Sequence, residues 1–360
     1  MSVHIWLRSE TKPAEKRTVL PPQHAQQLVA AGFQLTVEES SQSVFDANEY
    51  QSAGCEIVSE HSWKQLAPED AIILGLKELE TSDQPLHHRH IHFAHIYKNQ
   101  SGWKETISRF ETGGGRLFDL EFLVDDNARR IAAFGRWAGF AGAGLSILAW
   151  TNQQRSITPV LDTVTARTDA QSFIEEIRGK LQGLDKPKAM VIGSLGRCGR
   201  GAIELLEAVD AEVVGWDLAE TQRGGPFDEI LECNLFLNCV FIERQIPPFI
   251  TREMLQTSAR KLNVICDVSC DPYGDYNPVP IYDQCTTFEN PVLNIVDGEN
   301  PINLIAIDHL PSLLPRESSE DFCDQLIPFL LQLDSLDARV WKRAGDLFDL
   351  KLAAAQADSN

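Results

Sequence analysis

Short apolar runs alternate along this chain with stretches whose apolar positions recur at helical spacing, the layering expected of an α/β protein. Val3–Leu7, Leu35–Val37, Ala71–Leu76, Ile91–Tyr97 and Arg116–Leu120 read as strands, and Pro22–Ala31 as a helix. Arg129–Ala133 reads as a further strand. It feeds Phe134–Trp150, a small-residue stretch suited to a helix packed closely between two domains. Residues 152–168 are polar and irregular and read as a connection. Ala170–Leu181 reads as a helix with Asp169 as its N-cap. Strands are then expected at Lys188–Ile192, Glu212–Trp216, Leu235–Val240 and Asn263–Val268, with a break at Asn277–Pro280. From Asp321 onward the pattern is one or two amphipathic helices that could pack back on the first domain. No internal repeat is present.

One unit carries local chemistry. The strand at Lys188–Ile192 runs into the glycine turn Gly193-Ser-Leu-Gly196-Arg-Cys-Gly199-Arg-Gly201, followed by a helix over Ala202–Val209. Glycines allow a tight turn and close approach of backbone to a pyrophosphate, and the helix N-terminus offers unpaired N–H groups. The spacing is G-x-x-G-x-x-G rather than G-x-G-x-x-G. Asp217 ends the next strand about 20 residues on, where a carboxylate binds an adenosine ribose and disfavours a 2′-phosphate. NAD is therefore the expected cofactor, with Arg223 nearby as the one feature that argues for NADP.

A length of 360 residues suits two cores better than one. The formal net charge of −20 repels nucleic acid and anionic membranes, so neither is an expected partner. No apolar run reaches the roughly 18 residues of a membrane helix. Neither end reads as a signal peptide or a peroxisomal address, which makes the cytoplasm the expected location. Eight Cys are spread without metal spacing and no metal is expected. His87, His88, His90 and His92 resemble a metal tract but lack a complementing carboxylate or Cys, and a solvated loop is expected there.

The first half places polar groups at strand ends. Arg17 follows the first strand, Lys77 and Glu78 follow Ile72–Leu76, and His95 lies in Phe93–Tyr97. Glu121 follows Phe118–Leu120, and Arg129 and Arg130 precede Ile131. Lys, His and Glu supply acid–base groups tunable by burial, and Arg grips carboxylates through paired hydrogen bonds. Each also fits a plainer role: a surface lysine, a core histidine, ion-pair glutamates.

Taken together the motifs resemble the NAD-dependent, lysine-forming saccharopine dehydrogenases of the fungal lysine pathway, relatives of alanine dehydrogenase and the NAD-binding part of transhydrogenase. The resemblance runs through Leu7-Arg-x-Glu-Thr-Lys-Pro13, Gly75-Leu-Lys-Glu78, Phe93-Ala-His95-x-Tyr-Lys98 and Asp119-Leu-Glu-Phe-Leu123. It continues in Ala132-Ala-Phe-Gly135, Ala138-Gly-Phe-Ala-Gly-Ala143, the glycine turn and Asn238-Cys239. Its most specific blocks are Arg223-Gly-Gly-Pro-Phe-Asp-Glu-Ile230 and Ile307-Asp-His-Leu-Pro-Ser-Leu-Leu-Pro-Arg316. The segment 152–168 is shorter than the resemblance leads one to expect and differs in composition, and the last residues do not read as the peroxisomal address expected of the fungal enzymes.

The resemblance implies an α/β fold of two Rossmann-like, doubly wound domains with the active site in the cleft between them. The expected division is 1–134 plus about 320–360 for substrate and catalysis, and 135–319 for NAD. It implies that Lys77 and His95 are the acid–base pair, tuned by Glu78 and Glu121. Arg17, Lys77, Arg130 and Phe134 match substrate-binding positions. Arg129, Gly196, Arg197, Asp217, Thr221, Phe241, Val268, Ile307, Asp308, His309 and Leu310 match NAD-contacting positions. Cys198 and Cys239 match a pair that can form a disulfide near the cofactor, with thiols expected in a reducing compartment.

The implied reaction is oxidative deamination of saccharopine to lysine and 2-oxoglutarate with formation of NADH. A different opine-type or amino-acid dehydrogenase, and a non-catalytic NAD-binding redox sensor, are the rival readings. Oligomeric state is open, with a monomer compatible.

Overall fold

A computed structural model describes residues 2–97, 102–242, 244–257, 259–274 and 276–357. The chain forms two compact units, Met1–Ala133 with Ser318–Asn360, and Phe134–Glu317.

Among the described residues the first unit holds six strands: β1 (His4–Leu7), β2 (Gln34–Glu38), β3 (Glu56–Val58), β4 (Ile72–Leu74), β5 (Arg89–His92) and β6 (Arg116–Asp119). They lie in the order β3-β2-β1-β4-β5-β6, and every pairing is parallel. This is the doubly wound order, with its switch point between β1 and β4. Helices α1 (Pro22–Ala30), α2 (Ala47–Ser52), α3 (Trp63–Leu66) and α4 (Trp103–Gly113) connect the strands. Strands covered on both faces read as continuous apolar runs, and Ile72–Leu74 is wholly buried.

The second unit begins with α5 (Gly135–Gln154) and α6 (Ala170–Leu181). Its strands are β7 (Lys188–Ile192), β8 (Glu212–Trp216), β9 (Leu235–Asn238), β10 (Val264–Asp267), β11 (Leu293–Val296) and β12 (Ile302–Ile305), with α7 (Arg197–Ala208) and α8 (Leu218–Thr221) between them. The order is β11-β12-β10-β9-β7-β8, parallel except for β11 against β12. The expected N-cap holds: the Asp169 carboxylate accepts from Ser172 N–H at 2.7 Å. Helix α5 presents its glycine face to α7. A Cβ at Gly139 would lie 2.8 Å from the Cys198 carbonyl carbon, and one at Gly201 would lie 2.6 Å from that of Arg136. The small-residue stretch is thus explained by helix–helix approach inside this unit.

The chain returns to the first unit within α9 (Pro315–Leu330) and ends in α10 (Arg339–Ala357). Helix α10 lies on β6 and α4, and Lys351 donates to the Tyr97 carbonyl at 2.8 Å.

The structure differs from the sequence expectations at several places. Strand β5 stops at His92 because His95 takes φ +55°, which no strand tolerates. Arg129–Ala133 is not a strand. It closes a tight turn in which Asp125 Oδ1 accepts from Asn127 N–H and Arg129 N–H at 2.8 and 2.9 Å, with one bridge between Val124 and Arg130. Helix α7 starts at Arg197, so the last glycines lie within its first turns. The histidine tract is no solvated loop.

His90 and His92 stand two apart on β5 and so share one face. His90 and His92 are 0% and 1% exposed, and His90 meets Trp63 and Phe110 edge-on. Burial holds both pKa values well below the ordinary histidine value, aided by neighbouring cations such as Arg8. A depressed histidine contributes stability that is present above its unfolded value and lost as pH falls. Asp119 works in the opposite sense. Burial pushes its carboxyl up to about 7, so it favours the folded state on acidification from there down to its unfolded value. Two histidines outweigh one carboxyl, leaving about one extra proton taken up on unfolding over that window. The unfolding midpoint is expected to fall as the buffer goes from about pH 6.5 to about pH 5. A His90→Phe variant should show a flatter dependence in thermal melts. An unchanged slope in that variant would refute the assignment.

Among the described residues no helix is long and apolar enough to cross a membrane, and no group of His, Cys, Asp or Glu is arranged to hold a metal ion.

Candidate active site

In an open α/β sheet, side chains that follow the carboxyl ends of strands beside the switch point line the ligand crevice. In the first unit the segments after β1, β4, β5 and β6 carry Arg8 to Arg17, Lys77 and Glu78, His95, and Glu121.

The backbone at Lys77 is held from two sides. Glu10 Oε1 accepts from Leu76 N–H at 2.6 Å, and Oε2 accepts from Lys77 N–H at 2.9 Å. Arg8 donates to the Lys77 carbonyl and lies 3.4 Å from Glu10. A Cβ at Gly75 would lie 2.7 Å from the Arg8 guanidinium Nη2, so only glycine leaves room for it. The Lys77 ammonium sits in a partly buried position. Burial holds its pKa below the ordinary lysine value, and Arg17 and Lys12 act in the same direction against Glu15 and Glu78.

His95 stands at a left-handed backbone position, which turns its ring out of the strand direction. The ring keeps solvent contact, yet the protein packed around it holds its pKa below the ordinary value. Glu78 and Glu121 pull upward, while Lys77 and Lys12 add to the depression. Glu78 accepts from Lys12 Nζ at 2.9 Å. Burial alone would raise its carboxyl, but Lys12 and His95 bring it below the ordinary value.

Arg17 is buried and grips Glu15 through two bonds, Nε to Oε1 at 2.7 Å and Nη2 to Oε2 at 2.6 Å. Burial would raise the Glu15 carboxyl, but the Arg17 charge and hydrogen bonds, with Lys77, hold it low. Arg130 Nη2 lies 3.2 Å from Glu121 Oε1, and its Nε donates to the Glu121 carbonyl. Asp119, fully buried beside these groups, accepts from Glu121 N–H at 2.9 Å through Oδ1. Around Lys77, then, lie the Arg17–Glu15 pair and His95, and the amine's own pKa is held below the ordinary lysine value.

Arg129 is exposed in the turn that ends at Arg130, and Phe134 is the N-cap residue of α5 in the second unit. Lys98, the last residue of the Phe93–Lys98 motif, lies outside the described residues. Glu15 escaped the sequence reading, and Arg8, Glu10 and Asp119 entered it only inside motifs, with no role of their own. A motif does not tell which of its polar residues will be buried.

In the second unit the glycine turn fits a dinucleotide. Gly193 has φ +90°, and a Cβ at Gly199 would lie 2.7 Å from the Gly193 carbonyl carbon and from Ser194 Cα. Gly196 is the N-cap residue of α7 with no side chain across its N–H groups. Asp217 ends β8, accepting from Leu195 N–H at 3.0 Å and Leu218 N–H at 2.9 Å. Thr221 Oγ1 donates to the Asp217 carbonyl at 2.8 Å. Asp217, Thr221 and Arg244 line a cavity of about 240 Å³. Arg223 does not line it. Its guanidinium lies 5.2 Å from both the Trp216 and Phe227 rings and pairs with Glu229 at 2.6 Å. The one feature that argued for a 2′-phosphate is thereby occupied elsewhere.

Arg197 begins α7 and is exposed. Phe241, 58% exposed, follows β9, and Val268 follows β10. After β12, Ile307 and Leu310 have buried side chains, Asp308 is exposed and His309 lies 4.6 Å from the Phe288 ring. Cys198 and Cys239 are free thiols, and a hydrogen bond between them together with burial raises the Cys239 pKa.

Residues 6–141 match the family model "Alanine dehydrogenase/PNT, N-terminal domain". The chain is 47% identical to "Saccharopine dehydrogenase [NAD(+), L-lysine-forming]" of Emericella nidulans over 97% of each chain. It is 47% identical to the protein of that name in Schizosaccharomyces pombe, over 96% of this chain and 97% of that one. Among solved structures, an L-alanine dehydrogenase superposes with a TM-score of 0.68 over 96% of this chain and 94% of its own, at 14% identity, a likeness of fold.

Proposed function

The chain belongs to the NAD(+)-dependent, L-lysine-forming saccharopine dehydrogenases, and from that premise we propose that it interconverts saccharopine and NAD with lysine, 2-oxoglutarate and NADH. The observation that carries the reading is Lys77: a lysine at the end of a switch-point strand, its backbone fixed by Glu10 and Arg8, with its amine held below the ordinary lysine value.

NAD, when bound, supplies a hydride acceptor at C4 of its nicotinamide. Gly193, Gly196 and Gly199 cradle its pyrophosphate in this reading, Arg197 adds charge, and Asp217 with Thr221 holds its adenosine ribose. Phe241, Val268 and Ile307–Leu310 complete the cofactor-contacting set, with Arg129.

Saccharopine carries three carboxylates. Arg130 and Arg17 supply the positive charge that holds them, exchanging Glu121 and Glu15 for substrate carboxylates, in a protein whose average field is negative. Lys77, as the neutral amine, takes the proton from the secondary amine as hydride leaves the glutaryl carbon. The imine accepts water. His95 moves the protons of hydration and of carbinolamine collapse, with Glu78 and Glu121 setting its basicity. Because Lys77 must be neutral to act, oxidation of saccharopine speeds up as pH rises toward its depressed pKa. Phe134 flanks the substrate, and Cys198 with Cys239 remains a thiol pair in the cytoplasm we assign to the enzyme.

The test is NADH oxidation by the pure protein with 2-oxoglutarate, offering lysine, ornithine, alanine, ammonia or no amine. Turnover that requires lysine is the expected result. Turnover with another amine would move the substrate, and tight NADH binding without any turnover would leave a redox sensor.

A further inference from the structure

Two thiols outside the catalytic groups meet in the second unit. Cys270 Sγ lies 3.2 Å from Cys285 Sγ, closer than two non-bonded sulfurs rest in ordinary packing. Both side chains are partly exposed, unlike the buried Cys55, Cys233, Cys266 and Cys323. One carbonyl pins the pair. Cys270 Sγ lies 3.0 Å from Ala306 O, and Thr286 N–H, next along the chain from Cys285, donates to the same oxygen at 2.8 Å. Thr286 Oγ1 in turn accepts from Ala306 N–H at 2.9 Å. Cys285 is thereby held through its neighbour Thr286, and Cys270 through its own sulfur, at one carbonyl.

Both cysteines sit on irregular backbone, Cys270 at φ +49° just after β10 and Cys285 between Tyr282 and the Thr286 bridge. A disulfide needs about 2.05 Å between sulfurs, and loops absorb the small approach from 3.2 Å more readily than strands would.

We propose that Cys270 and Cys285 form a redox-modification site, closed to an intramolecular disulfide by a peroxide. One thiol, as thiolate, attacks a peroxide oxygen and becomes a sulfenic acid, releasing hydroxide. The second thiol displaces that oxygen as water. Two thiols lose two hydrogens, one S–S bond forms, and hydrogen peroxide is reduced to two waters. The bridge fastens the loop after β10 to the segment that meets the end of β12. Asp267 and Asp308 face both sulfurs, Asp271 faces Cys285, and Tyr282 adjoins them. With burial, these groups disfavour the thiolate, so closure is slow in neutral buffer and faster in alkaline buffer. The site is independent of the catalytic reading.

The experiment treats the reduced full-length protein with hydrogen peroxide, alkylates remaining thiols, digests without reductant and maps the products by mass spectrometry. The expected result is a linked pair of peptides carrying Cys270 and Cys285, released by dithiothreitol. In Cys285→Ser, the link disappears and Cys270 becomes alkylatable. Full alkylation of both residues after exhaustive oxidation overturns the proposal. Conversion of either to sulfinic acid without a link, or linkage of Cys270 to another cysteine, overturns it as well.

Discussion

Replacing Lys77 with methionine is expected to lower kcat by about 10²–10⁴-fold while NADH affinity stays where it was. Methionine keeps the length and most of the volume of the side chain but cannot take a proton. The fold around it should survive. Glu10 and Arg8 bind the backbone of Lys77, and the strand preceding it is buried in its own right. The pH profile gives a second readout. In the parent enzyme, saccharopine oxidation should rise with pH as the depressed lysine loses its proton, since only the neutral amine can act as base. The variant should lose that rising limb. An unchanged kcat, or a rate that falls while the limb persists, would assign the base to another group, with His95 the first candidate.

Gly199→Ala should weaken NADH binding by about 10–100-fold, since overpacking costs about 1–3 kcal/mol and each 1.4 kcal/mol is tenfold. The added methyl would press on the Gly193 carbonyl and on Ser194, both backbone, so no side chain can swing aside. Relief requires the glycine turn to open, and that turn is the surface proposed to meet the pyrophosphate. Fluorescence titration with NADH measures the loss. Thermal melts without cofactor separate it from unfolding. Wild-type affinity in this variant would place the cofactor elsewhere.

The nucleotide unit was legible because its signals are local. Strand, glycine turn, helix and terminal Asp217 succeed one another within about 30 residues, and each depends on neighbours a few positions away. Even there the helix start moved to Arg197, since glycine is tolerated in a first turn that packs closely on α5. The candidate site of the first unit was legible only as a set of polar residues at strand ends. Strand length misled at Ile91–Tyr97, where apolar residues continue past the point at which His95 turns the backbone. The histidine tract misled for another reason. Polarity argues for solvent, but alternation on β5 carries His90 into a face covered by Trp63 and Phe110.

By itself, the amino-acid order determined the α/β class, the dinucleotide turn with its acid, and the membership signalled by its motifs, all of which follow from local spacing. Tertiary structure decided which groups share an environment. It set β1 beside β4, so that Glu10 reaches Lys77 across 67 positions of sequence. It placed Arg17 against Glu15, turned Arg223 away onto Trp216, and brought Cys270 to Cys285 at the carbonyl of Ala306. Burial and charge at a side chain depend on whatever the fold packs around it, so pKa values and thiol pairing are properties of neighbours that no short stretch of sequence contains.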